Sequence, residues 1–369
     1  MAHPLPPHLA RILDLARWAP SGDNTQPWRF EVLGDEHVLV HGFDTRDHVV
    51  YDLDGHASQL AHGALLETIA LAASREGRRT EIARRPDTPT THLLYDVRFS
   101  VDPRVVADPL ASVIEKRVVQ RRPLSTRRLA AAQKQSLEAA LPGGGRALWF
   151  EGLPGRWRLA RFMFDNAKLR LTIPEAYEVH KSVIEWGARY STDRIPEEAV
   201  GVDPLTARLM RWVMGSWARV RFMNRWMMGT LAPRLQLDLL PGMLCGAHVA
   251  LLAEKPLGEV DDFVSAGRAM QRFWLTAADM GLYMQPEMTP VIFTRYFREG
   301  LAFASDTGAL ALAGRLNGRL EDLLTTKNVP KLFFIGRLGW GSAPRARSLR
   351  LPLESLIQTD GVGGKSNAA

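Results

Sequence analysis

The sequence predicts an α+β fold, because segments with helical spacing of apolar residues alternate with shorter strand-like apolar runs. The helical spacing occurs in 8–18, 58–75, 104–116, 128–140 and 260–280. The strand-like runs are 29–41, which contains a turn, and 91–99, 147–150, 246–253 and 331–335. These signals recur on both sides of residue 115 without an obvious sequence repeat. They indicate a globular chain of one large domain or two ordinary ones.

The composition limits the classes of ligand and binding site that this chain can have. The net charge of +7 is equally compatible with anionic ligands such as a phosphate-bearing cofactor. Because no basic block is interleaved with aromatic residues, we predict no nucleic-acid partner. Cys245 is the only cysteine, which excludes an intrachain disulfide and a multi-cysteine zinc site. The histidines between residues 41 and 62 lack metal-ligand spacing, so we predict no metal.

From the sequence we predict neither an export signal nor a membrane-spanning helix. Met1–Pro7 lacks the basic-then-apolar pattern of a signal peptide. No uncharged apolar run approaches the roughly 18 residues that a membrane-spanning helix needs. The sequence therefore predicts a cytoplasmic protein.

The most distinctive segment is the loop Ala19–Trp28. Pro20 and Gly22 end the preceding helix. Five hydrogen-bonding side chains lie within the six residues 21–26, namely those of Ser21, Asp23, Asn24, Thr25 and Gln26. Such a loop can present polar groups to a planar ligand. Taken alone, the residues equally fit a helix-to-strand turn in which Asn and Gly adopt left-handed conformations.

The run Pro-Ser-Gly-Asp-Asn-Thr-Gln-Pro-Trp at 20–28 resembles the Pro-Ser-x-x-Asn-x-Gln-Pro-Trp loop of the nitroreductase family of FMN-dependent oxidoreductases. The resemblance implies an α+β nitroreductase-like fold, with an antiparallel or mixed central sheet flanked by helices. It also implies that this loop lines the flavin pocket. The cofactor-binding residues carried over here are Ser21, Gly22, Asn24 and Gln26.

A second resemblance covers the helix that ends at Gly281. Its pattern is Gly-Arg-Ala-x-Gln-Arg-x-Trp-Leu-x-Ala-Ala-x-x-Gly-Leu, starting at Gly267. In the family an apolar segment containing Pro follows this helix and passes near the flavin ring. The resemblance therefore places Gln285 and Pro286 beside FMN.

Three arginines, Arg117, Arg121 and Arg122, precede Pro123. Guanidinium groups match phosphate oxygens, although a solvated basic helix end is the alternative. The spacing of Arg117 and Arg121 resembles the family's Arg-x-Ser-x-Arg element, with Val119 at the Ser position. The resemblance implies that Arg117 binds the FMN phosphate. Arg121 is the candidate to stabilise negative charge on the reduced ring.

Two further arginines lie near the C-terminus. Arg350 precedes Leu-Pro-Leu-Glu and resembles the family's C-terminal phosphate-binding arginine. Arg347 is a weaker match of the same kind. The alternative for both is a solvated basic loop.

The order of these motifs differs from that of ordinary family members, in which the arginine element precedes the Ser/Asn loop. Here Arg117 follows Ser21. A fused or pseudo-duplicated chain, resembling the Acg-type FMN-binding proteins, would explain this order. We therefore predict halves at 1–112 and 113–358 that share one flavin site. The chain would be a monomer with an internal pseudo-dimer, or a homodimer.

The segment near 156–240 reads as a helical insertion rich in Met and Trp. These side chains suit a lid over an aromatic ligand. Arg208, Arg211 and Arg219 would share one helix face, so peripheral membrane contact through 208–228 is a second interpretation. A domain-packing helix is the third. We predict that the tail 359–369 is disordered and that its Gly363–Ser366 run is not a P-loop.

The motifs predict an FMN-dependent oxidoreductase that transfers two electrons to or from a small organic substrate. By resemblance the donor is NAD(P)H. No acid–base residue is required, and no Gly-x-Gly-x-x-Gly turn indicates a separate nicotinamide domain. Two alternatives stay open: a non-catalytic protein that sequesters FMN beneath the lid, and a flavin-free, membrane-peripheral scaffold. A hydrolase is excluded by the lack of a Gly-x-Ser-x-Gly elbow.

Overall fold

The structure, a computed structural model, describes residues 5–358. The helices are α1 Pro7–Ala16, α2 His56–Arg75, α3 Ala131–Ala139, α4 Gly152–Thr172, α5 Pro174–Val183, α6 Pro204–Val213, α7 Trp217–Trp226, α8 Leu231–Arg234, α9 Leu240–Met243, α10 Val260–Asp279, α11 Thr289–Glu299, α12 Thr307–Leu324 and α13 Leu353–Leu356. The strands are β1 Trp28–Gly34, β2 His37–Phe43, β3 Arg78–Arg84, β4 His92–Val101, β5 Arg146–Phe150, β6 Ile184–Glu185, β7 Tyr190–Ser191, β8 Ile195–Pro196, β9 Ala247–Leu252, β10 Tyr283–Pro286, β11 Leu332–Gly339, β12 Arg347–Ser348 and β13 Ile357–Gln358. This mixture of helices and sheets agrees with the predicted α+β class.

Two larger sheets form the framework. The first has the strand order β13-β1-β2-β4-β3, and the second has the order β10-β11-β9-β5. Every pair in them is antiparallel except β1 with β13, which is parallel. The C-terminal segment thus returns to the edge of the N-terminal sheet.

The two sheets repeat one topology. The chain order β1-β2-α2-β3-β4 in the first half matches β5-β9-α10-β10-β11 in the second, except that α11 and α12 are inserted between β10 and β11. The four strands also lie in matching spatial order, β1-β2-β4-β3 and β5-β9-β11-β10. A short turn joins β1 to β2, whereas the long helical segment α4–α9 lies between β5 and β9. The repeat fits two related halves, and the boundary at 112/113 stays a prediction.

Helices α2 and α10 cross in direct backbone contact. Each is 20 residues long, and each has a glycine seven positions after its first residue, Gly63 and Gly267. A Cβ on Gly63 would lie 2.0 Å from the Val264 carbonyl oxygen, and one on Gly267 would lie 2.1 Å from that of Leu60. The crossing therefore needs glycine on both helices, and it joins the two halves.

Helices pack differently against the two sheets. Trp28, Phe30 and Tyr95 of the first sheet are at most 1% exposed and pack with α1 and α2. Strands β9 and β11 are buried along their whole lengths. Val249 faces the cluster that includes α10, and Ala250 faces the cluster built from α4, α11 and α12. Both faces of the second sheet are therefore covered by helices.

The predicted helix over 104–116 is wrong. Only a 3₁₀ turn forms there, Pro109–Val113, and the Asp108 carboxylate caps it by accepting from the Leu110 N–H at 3.0 Å. Pro109 lacks an N–H, and the β-branched pair at 105–106 disfavours a helix before it. Arg117 and Arg121 consequently lie in an extended segment and not at a helix end.

Strand β3 was not predicted. Its charged and polar residues show no apolar alternation, because it is an edge strand that is only half buried. Charged residues on such an edge also discourage pairing with another chain.

The insertion predicted near 156–240 is helical in part. Residues 184–203 contain only short strands, a 3₁₀ turn and irregular structure. Helices α6 and α7 are separated by residues 214–216, so Arg219 does not share one continuous helix with Arg208 and Arg211. That predicted single face is wrong. The predicted tail, 359–369, lies outside the described residues.

Replacing Gly63 with Ala should destabilise the protein, because the new methyl group cannot fit against α10. We expect a loss of about 3 kcal/mol in the free energy of unfolding, measured with urea. Gly318→Ala is the matched control, since Gly318 also lies inside a helix but a Cβ there meets nothing within 4 Å. The control should be neutral or stabilising. Equal destabilisation by both changes would contradict the close crossing.

Candidate functional site

The loop after α1 holds three non-glycine residues in left-handed conformations. The φ angles are +48° for Asp23, +66° for Asn24 and +48° for Gln26. Such conformations cost free energy and are retained where the surroundings enforce them. Here the Gln26 N–H donates to Ser21 Oγ at 2.9 Å, and Trp28 is fully buried at the loop's end. The loop is therefore held in one shape.

The two amide side chains of the loop tie three segments together. Asn24 Nδ2 donates to the carbonyl oxygens of Thr192 and Leu349, at 3.1 and 3.3 Å. Gln26 Nε2 donates to the Thr192 oxygen at 2.9 Å, and Gln26 Oε1 accepts from the Leu351 N–H at 2.9 Å. Asn24 Oδ1 is buried and has no partner among residues 5–358. Both amides thus join the loop to the insertion and to the C-terminal segment.

Arg117, Arg347 and Arg350 come together at the base of this loop. Arg117 Nη2 donates to the Trp18 carbonyl oxygen at 2.9 Å, and Arg350 Nε donates to that of Ala19 at 3.0 Å. The Arg347 guanidinium lies 4.9 Å from the centre of the Trp18 ring. We call Arg117, Arg347 and Arg350 the arginine cluster.

The arginine cluster carries positive charge that carboxylates do not neutralise. Within the described part of the chain, none of the three forms an ion pair, although Glu115 acts on Arg347 at longer range. Burial, then repulsion from Arg350 and Arg347, holds the pKa of Arg117 well below its usual value. Burial, then Arg347 and Arg17, lowers the pKa of Arg350 to about 9. A bound anion would relieve both effects.

Unused hydrogen-bond donors at the cluster also favour an anion. Arg117 Nε and Arg347 Nε are buried and have no acceptor within residues 5–358. Guanidinium groups bind phosphate oxygens through paired N–H donors. The cluster therefore fits the phosphate group of a cofactor such as FMN.

Arg121 belongs to a second charged group. Its Nη1 donates to the Ala199 carbonyl oxygen of the insertion at 3.0 Å. Burial lowers the pKa of Arg121 to about 10, with the Asp23 carboxylate opposing this shift and Arg337 adding to it. Burial likewise raises the pKa of Asp23, against the attraction of Arg121. Arg121 thus places a partly buried positive charge near the strained loop.

The remaining predicted residues lie on β10 and on the loop. Gln285 and Pro286 pair with Arg337 and Gly336 of β11. Gln285 Oε1 is buried without a partner in residues 5–358. An isolated bridge between Val119 and Met284 aligns the extended arginine segment with β10. Gly22 is exposed, and a Cβ there would meet nothing within 4 Å.

A buried ionic network supports Arg121 and was missed in the sequence. Glu287 accepts from Arg337 Nη1 at 2.8 Å and from His248 Nδ1 at 2.8 Å. Arg337 Nη2 donates to the Arg121 carbonyl oxygen at 2.8 Å. The only signal in the sequence was one charged or polar residue inside each of two otherwise apolar strands. Among the described residues, no cluster of His, Cys, Asp and Glu is suited to a metal ion.

A comparison with protein families matches residues 4–64 to the nitroreductase family. The matched segment contains the strained loop, β1, β2 and the start of α2. This segment is nitroreductase-like. The recognition of that family and the nitroreductase-like α+β fold are confirmed, whereas the affiliation with the Acg-type branch stays a prediction. No curated protein matches the chain.

Solved structures give more distant matches. The nitroreductase-like family protein from Bacillus cereus is 12% identical, with 69% of this chain and 97% of that chain covered and a TM-score of 0.34. The FMN and NADPH-dependent nitroreductase NfnB from sphigopyxis sp. strain HMH is 16% identical. That match covers 69% of this chain and all of NfnB, with a TM-score of 0.35.

Inorganic phosphate should stabilise the protein through the arginine cluster. At about 100 times its Kd, we expect phosphate to add about 2.7 kcal/mol to the free energy of unfolding. Arg350→Gln should abolish most of this gain, because it removes one buried guanidinium. Arg345→Gln, an exposed arginine on the same segment, is the matched control. Equal gains in both variants would place phosphate elsewhere.

Stability should fall with rising pH because of His248. Burial disfavours its charged form, yet Glu287 and the Cys245 side chain raise its pKa from 6.5 to about 10. Since the folded pKa is the higher one, this contribution is complete below pH 6.5 and is lost as the pH rises towards 10. The slope should reach about 1.4 kcal/mol per pH unit.

Urea unfolding across this pH range measures the effect. His248→Gln should have lower stability at the acidic end and a flatter profile than the unaltered protein. A parallel pair of profiles would assign the pH dependence to other groups.

Proposed function

We propose that this protein is an FMN-dependent oxidoreductase of the nitroreductase type. The observation that carries the proposal is the arginine cluster beside the family's Ser/Asn loop. Arg117 and Arg350 are buried, Arg347 is partly buried, and none of the three has a carboxylate ion pair in residues 5–358. A phosphate-bearing flavin would neutralise the cluster and bring its ring towards the loop and β10. The substrate class is a small organic electron acceptor or a compound to be dehydrogenated.

Different residues would bind the cofactor and stabilise its reduced form. Arg117, Arg347 and Arg350 would hold the phosphate, and Asn24 Oδ1 and Gln285 Oε1 can accept hydrogen bonds from ring N–H groups. When bound, FMN would carry two electrons between a donor such as NAD(P)H and the acceptor. Arg121 would stabilise negative charge at the reduced ring, because its guanidinium is partly buried and is held in place by the Ala199 carbonyl oxygen.

We infer one cofactor per chain. In the first half, residues 17–27 connect α1 to β1 and contain the Ser/Asn loop. At the matching point of the second half, residues 140–145 connect α3 to β5 and read Ala-Leu-Pro-Gly-Gly-Gly. That connection offers no polar side chain, so the topological repeat supports only one complete site.

A sequestering protein is the second candidate, favoured by the position of the insertion. Backbone oxygens of Thr192 and Ala199 accept hydrogen bonds from Asn24, Gln26 and Arg121. Gly201 also packs closely, because a Cβ there would lie 2.9 Å from Arg121 Cβ. An insertion held this tightly over the loop would restrict access of a donor or substrate.

Visible absorbance with FMN, followed by anaerobic addition of NADPH or NADH, tests the function. We expect one FMN per chain and bleaching by one or both donors. Arg121→Gln should keep FMN but slow bleaching about 100-fold, because it removes a charge that stabilises the reduced state. Arg345→Gln should behave as the unaltered protein.

The outcomes separate the candidates. Bound flavin that neither donor bleaches, but that a chemical reductant does, would favour sequestration. A protein that cannot be reconstituted with FMN would contradict both candidates and favour the flavin-free scaffold.

A further inference from the structure

The segment between Asp203 and Asp238 is strongly basic. It contains six arginines and no lysine, aspartate or glutamate. Five of the arginines are exposed: Arg208, Arg211, Arg219, Arg221 and Arg225. None of the five forms an ion pair within residues 5–358. We call the exposed surface of α6 and α7 the basic surface.

The basic surface also exposes large apolar side chains. Leu205 is 74% exposed, Met228 is 71% exposed and Trp226 is 66% exposed. Leu209, Trp212, Phe222 and Met227 on the same two helices and the turn after them are also exposed. Single exposed apolar residues are ordinary, but a concentration of this kind marks an interaction surface.

The inner side of α6 and α7 is anchored to the fold. Ala207 on α6 and Val220 on α7 are buried. Asn224 Nδ2 donates to the Leu171 carbonyl oxygen at 2.9 Å, and Tyr177 Oη donates to that of Met214 at 3.0 Å. The exposed apolar side chains are therefore on the outer side of a fixed pair of helices.

A groove on α7 combines guanidinium and aromatic groups. Its volume is about 510 Å³, and its lining includes Arg221, Arg225, Trp217 and Phe222. Two guanidinium groups beside aromatic rings fit a phosphate head group whose acyl chains continue along an apolar surface.

We propose that the basic surface docks on membranes containing anionic phospholipids. Arg and Trp on an amphipathic helix are suited to the interface between head groups and acyl chains. In the described residues, no helix is long and apolar enough to cross a bilayer, so contact by these residues would be interfacial. Charge complementarity selects this partner over a second copy, because two basic surfaces facing each other would repel.

The docking surface is part of the same insertion whose Thr192 and Ala199 carbonyl oxygens accept hydrogen bonds from Asn24 and Arg121. Ala207 of α6 packs in one cluster with Ile184, Val200 and Val202. Arg208, Arg221 and Arg225 are separate from the arginine cluster, so membrane docking does not depend on the proposed flavin chemistry.

Vesicle sedimentation of the full chain tests the proposal. We expect binding to phosphatidylcholine vesicles containing about one quarter phosphatidylglycerol, little binding to phosphatidylcholine alone, and release by salt. Replacing Arg208, Arg221 and Arg225 together with Gln should reduce partitioning on the order of 100-fold, since each arginine contributes roughly fivefold. Arg75, Arg98 and Arg315, exposed on other elements, provide the matched triple replacement.

A second pair of variants tests the apolar part. Trp226→Ser should weaken partitioning at least tenfold, whereas Trp157→Ser, a control 48% exposed on α4, should not. Equal binding to neutral and anionic vesicles would overturn the proposal. Equal losses of vesicle binding in the basic-surface variants and their control variants would also overturn it.

Sedimentation velocity tests whether a second copy of the chain occupies the basic surface instead. A dimer that Trp226→Ser dissociates, together with no vesicle binding, would assign the surface to a second copy.

Discussion

The backbone contact between α2 and α10 determines how the two halves can meet. With Gly63 and Gly267 at the crossing, the helices approach closely enough for side chains on both flanks to pair. Arg268 and Arg272 both donate to the Glu67 carboxylate, and Gln271 Nε2 donates to Thr68 Oγ1 at 2.9 Å. A bulkier crossing would separate the halves, and with them the strained loop from the extended arginine segment.

The arginine cluster is costly for the folded chain. Moving guanidinium groups out of water is unfavourable, and here the main compensation comes from backbone oxygens and the faces of Trp18 and Trp274. Three left-handed residues in the neighbouring loop add local strain. Unfavourable contributions of this kind, concentrated in one place, are typical of a site organised for a ligand. A bound anion would offset them.

The two sheets share a strand order but are associated with different parts of the candidate site. The Ser/Asn loop precedes β1 of the first sheet, β10 belongs to the second sheet, and Arg117 and Arg121 lie in the segment that connects the two sheets. The second half also holds the long insertion between two strands that a short turn joins in the first. That insertion bonds to the loop through Thr192 and exposes the basic surface, so one segment connects the candidate site with the proposed docking surface.

The local sequence pattern determined several helices and the loop of the candidate site. The periodicity of α1, α2 and α10 and the loop at 19–28 were predictable, because they depend on neighbouring residues. The helix expected over 104–116 and the missed strand β3 show where local pattern misleads: proline and an exposed edge outweigh it. The sequence also predicted Arg117, Arg347 and Arg350 as phosphate-binding residues, but only through the resemblance to a known family.

Tertiary structure alone decided what those residues contact. Arg350 bonds to Ala19 across 331 positions of the chain, and Gln26 bonds to Leu351 across 325. The His248–Glu287–Arg337 network likewise joins β9, β11 and the residue after β10. Such contacts depend on how the sheets, the α2–α10 crossing and the returning C-terminal segment pack together. No periodicity or spacing along the chain encodes them, because burial and charge pairing are set by distant neighbours.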